Sequence, residues 1–101
     1  MTAERQKVAL VTGSAKRIGR VIALALAQRG WDIAVHYGQS ANDAHATVRY
    51  IEALGRRAVA LQCDLSDEAA VKLLLRRAIA AMGPVSCVVN NASLFEHDSA
   101  Q

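Results

Sequence analysis

The turn Thr12-Gly13-Ser14-Ala15-Lys16-Arg17-Ile18-Gly19 is the segment of this sequence best suited to bind an anion. Gly13 directly follows a continuous apolar run, where a glycine lets the backbone turn sharply. Gly19 stands at the start of a helical pattern, where the missing side chain lets a phosphate approach the free N–H groups. A glycine pair also occurs in purely structural turns, but this pair follows the first strand of an alternating pattern. We therefore interpret the turn as a phosphate-binding loop.

Polar residues also follow the third strand-like run. That run, 57–63, leads into Asp64 and Leu65. Because ligands of doubly wound parallel sheets lie across the carboxyl ends of the strands, we expect both residues beside the phosphate loop. A carboxylate at this edge can accept a hydrogen bond from an adenine amino group, and Leu65 can cover the ring. Alternatively, Asp64 caps the next helix together with Ser66, and the two roles are compatible.

The end of the second strand-like run, Val35-His36-Tyr37-Gly38-Gln39-Ser40, indicates which dinucleotide the loop would hold. An NAD site usually places Asp or Glu there, to accept hydrogen bonds from the ribose hydroxyls. Here Asp32 is at the wrong end of the strand, and Asp43 lies inside the next helix. A carboxylate would repel a 2′-phosphate, so its absence favours NADPH, with Arg17, Ser40 and nearby backbone N–H groups holding that phosphate.

Each of these residues has an alternative without a ligand. Ser40 with Asp43 has the form of a capping box, so Ser40 could serve only as a helix N-cap. His36 is more often a half-buried strand residue than a ligand, and Arg17 could point into solvent.

The elements that would position these residues alternate along the chain. Short apolar runs at 7–12, 32–37, 57–63 and 85–90 predict four strands. Helical periodicity predicts three helices between them, ending near Gly30, Gly55 and Gly83. The order β-α-β-α-β-α-β with short connections predicts an α/β fold, a Rossmann-type doubly wound parallel sheet, and residues 1–101 form one segment without an internal boundary.

Each predicted helix has an apolar stripe that we expect to face the sheet. The stripes consist of Ile18, Val21, Ile22, Ala25 and Leu26 in the first helix, Ala44, Val48, Ile51 and Leu54 in the second, and Val71, Leu74, Leu75, Ala78 and Met82 in the third. Ser66 is the expected N-cap of the third helix, with Asp67 and Glu68 in its first turn.

Composition excludes several classes of protein. The chain has 101 residues, of which 52% are hydrophobic and 21% charged, as in a globular core. Its net charge of +3 is too small and too scattered to argue for nucleic acid. It contains no long apolar stretch and its amino terminus is charged, so we expect a cytoplasmic protein that does not enter a membrane. Cys63 and Cys87 are interpreted as reduced core residues, and no His/Cys spacing indicates a metal site.

Three motifs together resemble the short-chain dehydrogenase/reductase family over residues 6 to about 96. They are the Thr-Gly-x-x-x-Gly-x-Gly loop, which this chain matches except for Arg17 at the middle glycine, Asp64-Leu65 after the third strand, and Asn90-Asn91-Ala92 after the fourth. Arg17, with Ser93 and Phe95, is most similar to the pteridine reductases. The resemblance and the loop together assign cofactor binding to Gly13, Ser14, Arg17, Ile18, Gly19, His36, Tyr37, Ser40, Asp64, Leu65, Asn91, Ala92 and Ser93.

The resemblance implies an NADPH-dependent oxidoreductase that acts on a small molecule. In the pteridine reductases Ser93 would touch cofactor and substrate, and the ring of Phe95 would stack on the pterin. Phe95 could instead be an ordinary core aromatic. A general carbonyl reductase of the same family, acting on a ketoacyl, sugar or alcohol substrate, is the alternative within the class, and a non-catalytic NADPH-binding module is the alternative outside it.

The proton donor of the family, Tyr-x-x-x-Lys, is missing from this sequence. Tyr37 is followed four residues later by Ala41, and Tyr50 by Leu54. Hydride transfer to a carbonyl or imine needs such a donor near the acceptor. We therefore expect an incomplete enzyme, inactive as residues 1–101 alone, whose full-length form is a homo-oligomer, commonly a tetramer in this family.

Overall fold

Strands and helices alternate in the computed structural model, which describes residues 6–91 of the chain. The elements are β1 (Lys7–Val11), α1 (Arg17–Gln28), β2 (Trp31–Tyr37), α2 (Ala41–Ala53), β3 (Ala58–Gln62), α3 (Glu68–Met82) and β4 (Cys87–Val89). The predicted order is confirmed, and the strand ends differ from the predicted ones by at most two residues. No helix within residues 6–91 is long and apolar enough to cross a membrane.

The four strands form one parallel sheet in the order β3-β2-β1-β4. The chain builds outward from β1 through β2 to β3 and then crosses back to the other side of β1. The winding direction therefore reverses between β1 and β4, and in open α/β sheets this reversal point is where ligands bind, at the carboxyl ends of the strands.

Side chains from alternate strand positions pack on opposite faces of the sheet, as the pleat requires. One face carries Ala9, Val11, Ile33 and Val35, which pack in a cluster with residues of α1 and α2. The other face carries Val8, Leu10, Ala34 and Leu61, which pack with Leu74, Ala78 and Met82 of α3. Helices therefore cover both faces, which confirms the doubly wound arrangement.

The predicted apolar stripe of α1 is confirmed at Ile22 and Leu26, which pack partly buried against the core, and is wrong at Ile18 and Val21. Ile18 and Val21 are 52% and 65% exposed, and the buried residues are Gly19, Ala23 and Ala27. The innermost line of α1 consists of small residues, because Gly19 lies against the turn before the helix, and Ala23 and Ala27 pack in the core cluster formed with β1 and β2. Hydrophobic periodicity weights large side chains, so it does not detect a contact line built from glycine and alanine.

The stripes of α2 and α3 are confirmed in their inner residues. Ala44 and Ile51 of α2 are buried, whereas Leu54 follows the helix and is 44% exposed. In α3 the outer residues Val71 and Leu75 are 38% and 41% exposed. Both border a groove of about 440 Å³ beside β4, which nothing within residues 6–91 fills.

The predicted helix caps need two corrections. Ser66 is not the N-cap of α3: that position is held by Asp67, whose Oδ1 accepts hydrogen bonds from the N–H groups of Ala69 (3.0 Å) and Ala70 (3.2 Å). Ser40 does precede α2, but its side chain caps no N–H group. The φ and ψ of Ser40 are −91° and 64°, outside the extended region from which a serine hydroxyl reaches the first turn.

Candidate functional site

The turn between β1 and α1 depends on two glycines. Gly13 has a φ of +63°, in the left-handed region, and its carbonyl oxygen accepts a hydrogen bond from Nδ2 of Asn91 (3.2 Å). A Cβ atom on Gly19 would overlap that same carbonyl oxygen and press against the Asn91 amide. The glycine spacing therefore serves the close approach of β1, α1 and the end of β4, as the sequence predicts for a tight turn.

Arg17 occupies the first position of α1 with a φ of +60°. Residues other than glycine adopt this left-handed backbone conformation at a cost of about 1–2 kcal/mol. From the sequence, Arg17 was expected either to place a charge beside the phosphates or to point into solvent, and its left-handed backbone was not predicted. The signal was available, because the family motif has glycine at this position and glycine tolerates a positive φ. The side chain of Arg17 is exposed.

The amino terminus of α1 carries N–H groups without an internal partner. Lys16 at the N-cap position has extended backbone and makes no side-chain cap, and no acidic residue lies in the first turn. The first helical bond runs from the Arg20 N–H to the Lys16 carbonyl (3.4 Å), so the amides of Ile18 and Gly19 precede it. The helix dipole and the neighbouring cations make this end attractive to an anion.

The interior of the turn is held by its own serine. Ser14 is fully buried, its hydroxyl donates to the Val11 carbonyl (2.7 Å), and its N–H donates to the His36 carbonyl (3.1 Å). Both donor groups of Ser14 are thus used inside the protein. In this structure Ser14 fixes the shape of the turn and presents no donor to a ligand.

Two residues that the sequence analysis did not select anchor the middle of the turn. The carbonyl of Ala15 accepts hydrogen bonds from the Thr47 hydroxyl (2.6 Å) and from Nε of Arg20 (3.1 Å). Nη2 of Arg20 also donates to the Asp43 carbonyl (3.1 Å) and lies 3.9 Å from the Asp43 carboxylate. A threonine on the inner face of an amphipathic helix was the available signal, since a buried hydroxyl needs a partner.

His36 lies deeper than expected, with 2% of its surface exposed. Its Nδ1 accepts from the Gly13 N–H (2.9 Å), and its Nε2 is 2.9 Å from the Cys63 carbonyl oxygen. Burial lowers the pKa of His36 below its usual range, the hydrogen bond to Cys63 opposes this, and the charge of Arg77 lowers the pKa further. Tyr37, next in sequence, is half-buried, and its ring centroid lies 6.4 Å from that of His45.

A cavity of about 420 Å³ opens at the carboxyl ends of β2 and β3, next to the glycine turn. Its lining comprises Gly13, His36, Gly38, Gln39, Gln62, Cys63, Asp64 and Leu65. The structure therefore brings Asp64 and Leu65 to the side of Gly13, as the sequence predicts. The side chain of Gln62 fixes one wall of the cavity by donating to the Gly38 carbonyl (3.0 Å).

Asp64 is exposed at the edge of this cavity. Its Oδ1 accepts from the hydroxyl (2.6 Å) and the N–H (2.9 Å) of Ser66. These bonds, the one from the hydroxyl foremost, lower the pKa of Asp64, so the group is a carboxylate at neutral pH. Asp64 and Ser66 were expected as an alternative to cap α3 together. They form a hydrogen-bonded turn before the helix, but the N-cap of α3 is Asp67.

The end of β2 has no acid on the cavity wall. Gly38 and Gln39 line it, Ser40 follows, and Asp32 lies at the opposite end of the strand, bound to Arg56 and Arg57. The placement of acids inferred from the sequence is therefore confirmed.

The end of β4 meets the glycine turn through polar contacts. The Thr12 N–H donates to the Val89 carbonyl (3.0 Å), and the Thr12 hydroxyl lies 3.2 Å from Oδ1 of Asn90. Asn91 is 3% exposed, and its Nδ2 donates a hydrogen bond to the Gly13 carbonyl oxygen. Ala92, Ser93 and Phe95, which the sequence analysis assigned to cofactor and substrate, lie outside the described residues.

A parallel sheet wound in both directions, with a glycine turn and an uncapped helix end at the reversal point, defines a Rossmann-type α/β protein with a site suited to a dinucleotide. The sequence matches the short chain dehydrogenase family over residues 7–101. The chain therefore belongs to the short-chain dehydrogenase family.

Curated relatives support this membership at moderate identity. The hydroxynaphthalene reductase arp2 of Aspergillus fumigatus is 43% identical over 88 residues, which are 87% of this chain and 32% of that protein. The short-chain dehydrogenase/reductase homolog YusS of Bacillus subtilis is 38% identical over 91 residues, 90% of this chain and 84% of YusS. A 3-oxoacyl-[acyl-carrier-protein] reductase FabG of Staphylococcus aureus is 40% identical over 88 residues, 87% of this chain and 36% of that protein.

Solved structures share the fold. Acetoin dehydrogenase from Enterobacter cloacae superposes with a TM-score of 0.84 at 40% identity, over 88% of this chain and 35% of that one. A short chain dehydrogenase from Burkholderia cenocepacia in complex with NADP superposes with a TM-score of 0.80 at 48% identity, over 83% of this chain and 34% of that one. The chain thus spans about a third of the length of these structures, as it does of arp2 and FabG.

Proposed function

We propose that this chain forms the NADP(H) site of a short-chain oxidoreductase. The observation that carries the proposal is the open amino terminus of α1, with Lys16 and Arg17 at its first residues and no carboxylate on the cavity wall at the end of β2. Such a site attracts phosphates and does not repel one on the 2′ position of the ribose. A relative of known structure binds NADP, which agrees with this assignment.

The described residues would meet the parts of the dinucleotide in order along the sheet edge. The amides of Ile18 and Gly19 would hold the pyrophosphate, and Gly19 leaves room because any side chain there would strike Gly13. The exposed guanidinium of Arg17 and the uncommitted hydroxyl of Ser40 would hold the 2′-phosphate.

The adenine would lie in the cavity between β2 and β3. Asp64 uses Oδ1 for Ser66, so Oδ2 can accept from the adenine amino group, and the half-buried Leu65 can cover the ring. Tyr37 lies beside this wall, whereas His36 would act on the cofactor through Gly13, which it holds by a hydrogen bond. The bound nicotinamide would supply a hydride, and Asn91, Ala92 and Ser93 would flank its ribose.

The proton that accompanies the hydride needs a donor other than the described tyrosines. Tyr50 packs under the guanidinium of Arg20, with 5.4 Å from Cζ to the ring centroid, and no lysine follows either tyrosine at the family spacing. We propose that the chain alone binds the cofactor and does not turn over substrate. The small-molecule substrate, cytoplasmic location and homo-oligomeric, tetrameric assembly expected from the resemblance belong to this proposal for the whole protein.

Two substrate classes fit the whole protein. Arg17, Ser93 and Phe95 favour a pteridine, with the ring of Phe95 stacked on the pterin. The names of arp2 and FabG, both reductases acting on other compounds, favour a general carbonyl substrate equally. Turnover of dihydrobiopterin against a 3-oxoacyl thioester by the full-length protein distinguishes the two classes.

Calorimetry on residues 1–101 tests the cofactor assignment. We expect NADPH to bind about tenfold more tightly than NADH, a difference of about 1.4 kcal/mol. Equal affinity for the two cofactors would contradict the 2′-phosphate argument, and no binding of either would contradict the proposed function. Steady oxidation of NADPH by this chain with either substrate class would contradict the proposed inactivity.

A further inference from the structure

His36 connects the glycine turn to the third strand through both nitrogens of its ring. Gly13 donates its N–H to Nδ1 (2.9 Å), so Nδ1 must carry a lone pair. The Cys63 carbonyl oxygen, 2.9 Å from Nε2, can only accept, so Nε2 must carry the hydrogen. The two partners thus select one neutral tautomer of the ring, and His36 is 2% exposed.

The Gly13 peptide is where three parts of the site meet. Its N–H is held by His36, its carbonyl oxygen accepts from Asn91, and the same oxygen touches the Cα side of Gly19 at the start of α1. The backbone carbonyl of His36 also accepts from the next N–H, that of Ser14 (3.1 Å). A shift of Gly13 would therefore move the end of the helix that faces the phosphates.

We propose that His36 is a positioning residue for this turn, and that protonation of its Nδ1 releases Gly13 and weakens dinucleotide binding. The inference rests on the proposed function, because it assumes that the turn holds a dinucleotide. A protonated ring has hydrogens on both nitrogens, so Nδ1–H would point at the Gly13 N–H and the bond between them would be lost. The Gly13 N–H would then lose its acceptor within a half-buried turn.

The titratable and charged groups around His36 come from three parts of the chain. The segment after β3 contributes Cys63 and the exposed carboxylate of Asp64, and α3 contributes Arg77, whose Nη1 donates to the Gln62 carbonyl (2.6 Å). From the glycine turn, Lys16 is the nearest titratable side chain in sequence, and it is exposed. Burial and Arg77 lower the pKa of His36 below 6.5, so the transition falls on the acidic side of that value.

Titration with NADP⁺ from pH 8 down to the lowest pH at which the chain stays folded tests the proposal, and His36→Asn is the matched variant. An asparagine Oδ1 can take the place of Nδ1 and accept from Gly13, but an amide does not titrate. We expect the wild type to lose up to about tenfold more affinity on acidification than His36→Asn, because the lost hydrogen bond of a half-buried N–H contributes about 0.5–1.5 kcal/mol. The variant corrects for protonation of the ligand's own 2′-phosphate, which both proteins experience alike.

His36→Leu supplies the opposite case. Leucine accepts no hydrogen bond from Gly13, so the His36→Leu variant should bind NADP⁺ about tenfold more weakly than the wild type already at pH 8. On acidification this variant should lose no more affinity than His36→Asn does. Identical pH dependence in the wild type and His36→Asn would overturn the proposal. Rescue by asparagine but not by leucine separates a positioning role from a merely structural one.

Nuclear magnetic resonance of the wild-type chain without nucleotide gives a reading that depends on no variant. The Gly13 amide shift should follow the titration of the His36 ring with the same midpoint. A Gly13 amide that does not respond to His36 overturns the proposal on His36. Absence of NADP⁺ binding at every pH, together with a normal Gly13 response, overturns the proposed function instead.

Discussion

The hydroxyl of Thr47 lies 2.6 Å from the carbonyl oxygen of Ala15, and this contact ties helix α2 to the turn that precedes α1. Thr47 is fully buried, so the bond is shielded from water. Nε of Arg20 donates to the same carbonyl and, at 2.7 Å, to the Thr47 hydroxyl. The shape of the phosphate turn is therefore set partly from a helix that follows it by some thirty residues in sequence.

Replacing Thr47 by valine should loosen the turn without changing the volume of the core. The Ala15 carbonyl would keep only its bond from Arg20, and Nε of Arg20 would lose one of its two acceptors. We expect a loss of about 1–2 kcal/mol in the free energy of unfolding and weaker NADPH binding. Urea unfolding and calorimetry measure the two effects, and Thr47→Ser, which keeps the hydroxyl, should lie close to the wild type.

Gly19→Ala should damage the site sterically. A Cβ atom at this position overlaps the Gly13 carbonyl oxygen, which is backbone and cannot rotate away. We expect a loss of at least about 2 kcal/mol in stability and a large loss of cofactor affinity. Gly38→Ala is the matched control for stability, because a Cβ there meets nothing within 4 Å and its φ is not positive. Equal stability of the two variants would contradict the packing described here.

The fold was predictable because its signals are local and repeated. Each strand is a continuous apolar run, and each helix has polar residues on one side, so β-branched and helical segments separate clearly along the sequence. The innermost line of α1 was not predictable in this way. Its contact line is Gly19, Ala23 and Ala27, and small residues contribute little to a hydrophobic pattern even when they are the most buried.

The site was predictable where a residue type has one dominant use. The glycine spacing and the placement of acids at the strand ends led directly to the turn and the cavity. The anchoring of Ala15 by Thr47 and Arg20 was not, because it joins residues distant in sequence through a backbone carbonyl. The tautomer of His36 likewise depends on two backbone partners that only the folded chain brings together.

Asp32 should stabilise the fold in a manner that depends on pH. Its carboxylate is 1% exposed and accepts from the N–H of Arg57 (3.0 Å), from Nε of Arg57 (3.1 Å) and from Nε of Arg56 (3.1 Å). Burial raises the pKa of Asp32, but the hydrogen bonds from Arg57 and the charge of Arg56 outweigh it and bring the pKa below 3.8. A carboxylate whose pKa is lower in the folded protein than in the unfolded chain stabilises the fold at any pH above the unfolded-chain pKa. This stabilisation is lost as the pH falls through the pKa of the folded protein.

Asp32→Asn should therefore cost about 2–3 kcal/mol at pH 7, a figure reduced from that of fully buried pairs because both arginines are partly exposed. The difference between wild type and variant should stay constant from pH 7 to about pH 5 and shrink below about pH 4. Urea unfolding across this range measures it. A difference that grows on acidification would show that the assigned direction of the pKa shift is wrong.

Arg17→Gly should move stability and cofactor preference in opposite directions. Glycine adopts the φ of +60° without strain, and part of the relief is offset by the greater freedom of glycine in the unfolded chain. We expect a gain of about 0.5–1 kcal/mol in the free energy of unfolding. Loss of the guanidinium should at the same time weaken NADPH binding relative to NADH by about tenfold.

Lys16→Gly is the control that separates the loss of a positive charge from the relief of backbone strain. Lys16 adjoins Arg17 and is also an exposed cation, but its φ of −154° is ordinary extended backbone, so glycine relieves nothing there. Lys16→Gly should therefore reduce stability slightly or leave it unchanged, while Arg17→Gly raises it. If Arg17→Gly does not raise stability above that of Lys16→Gly, the backbone of Arg17 is not strained. If the Arg17→Gly variant binds NADPH and NADH with the affinities of the wild type, the guanidinium of Arg17 does not contact the 2′-phosphate.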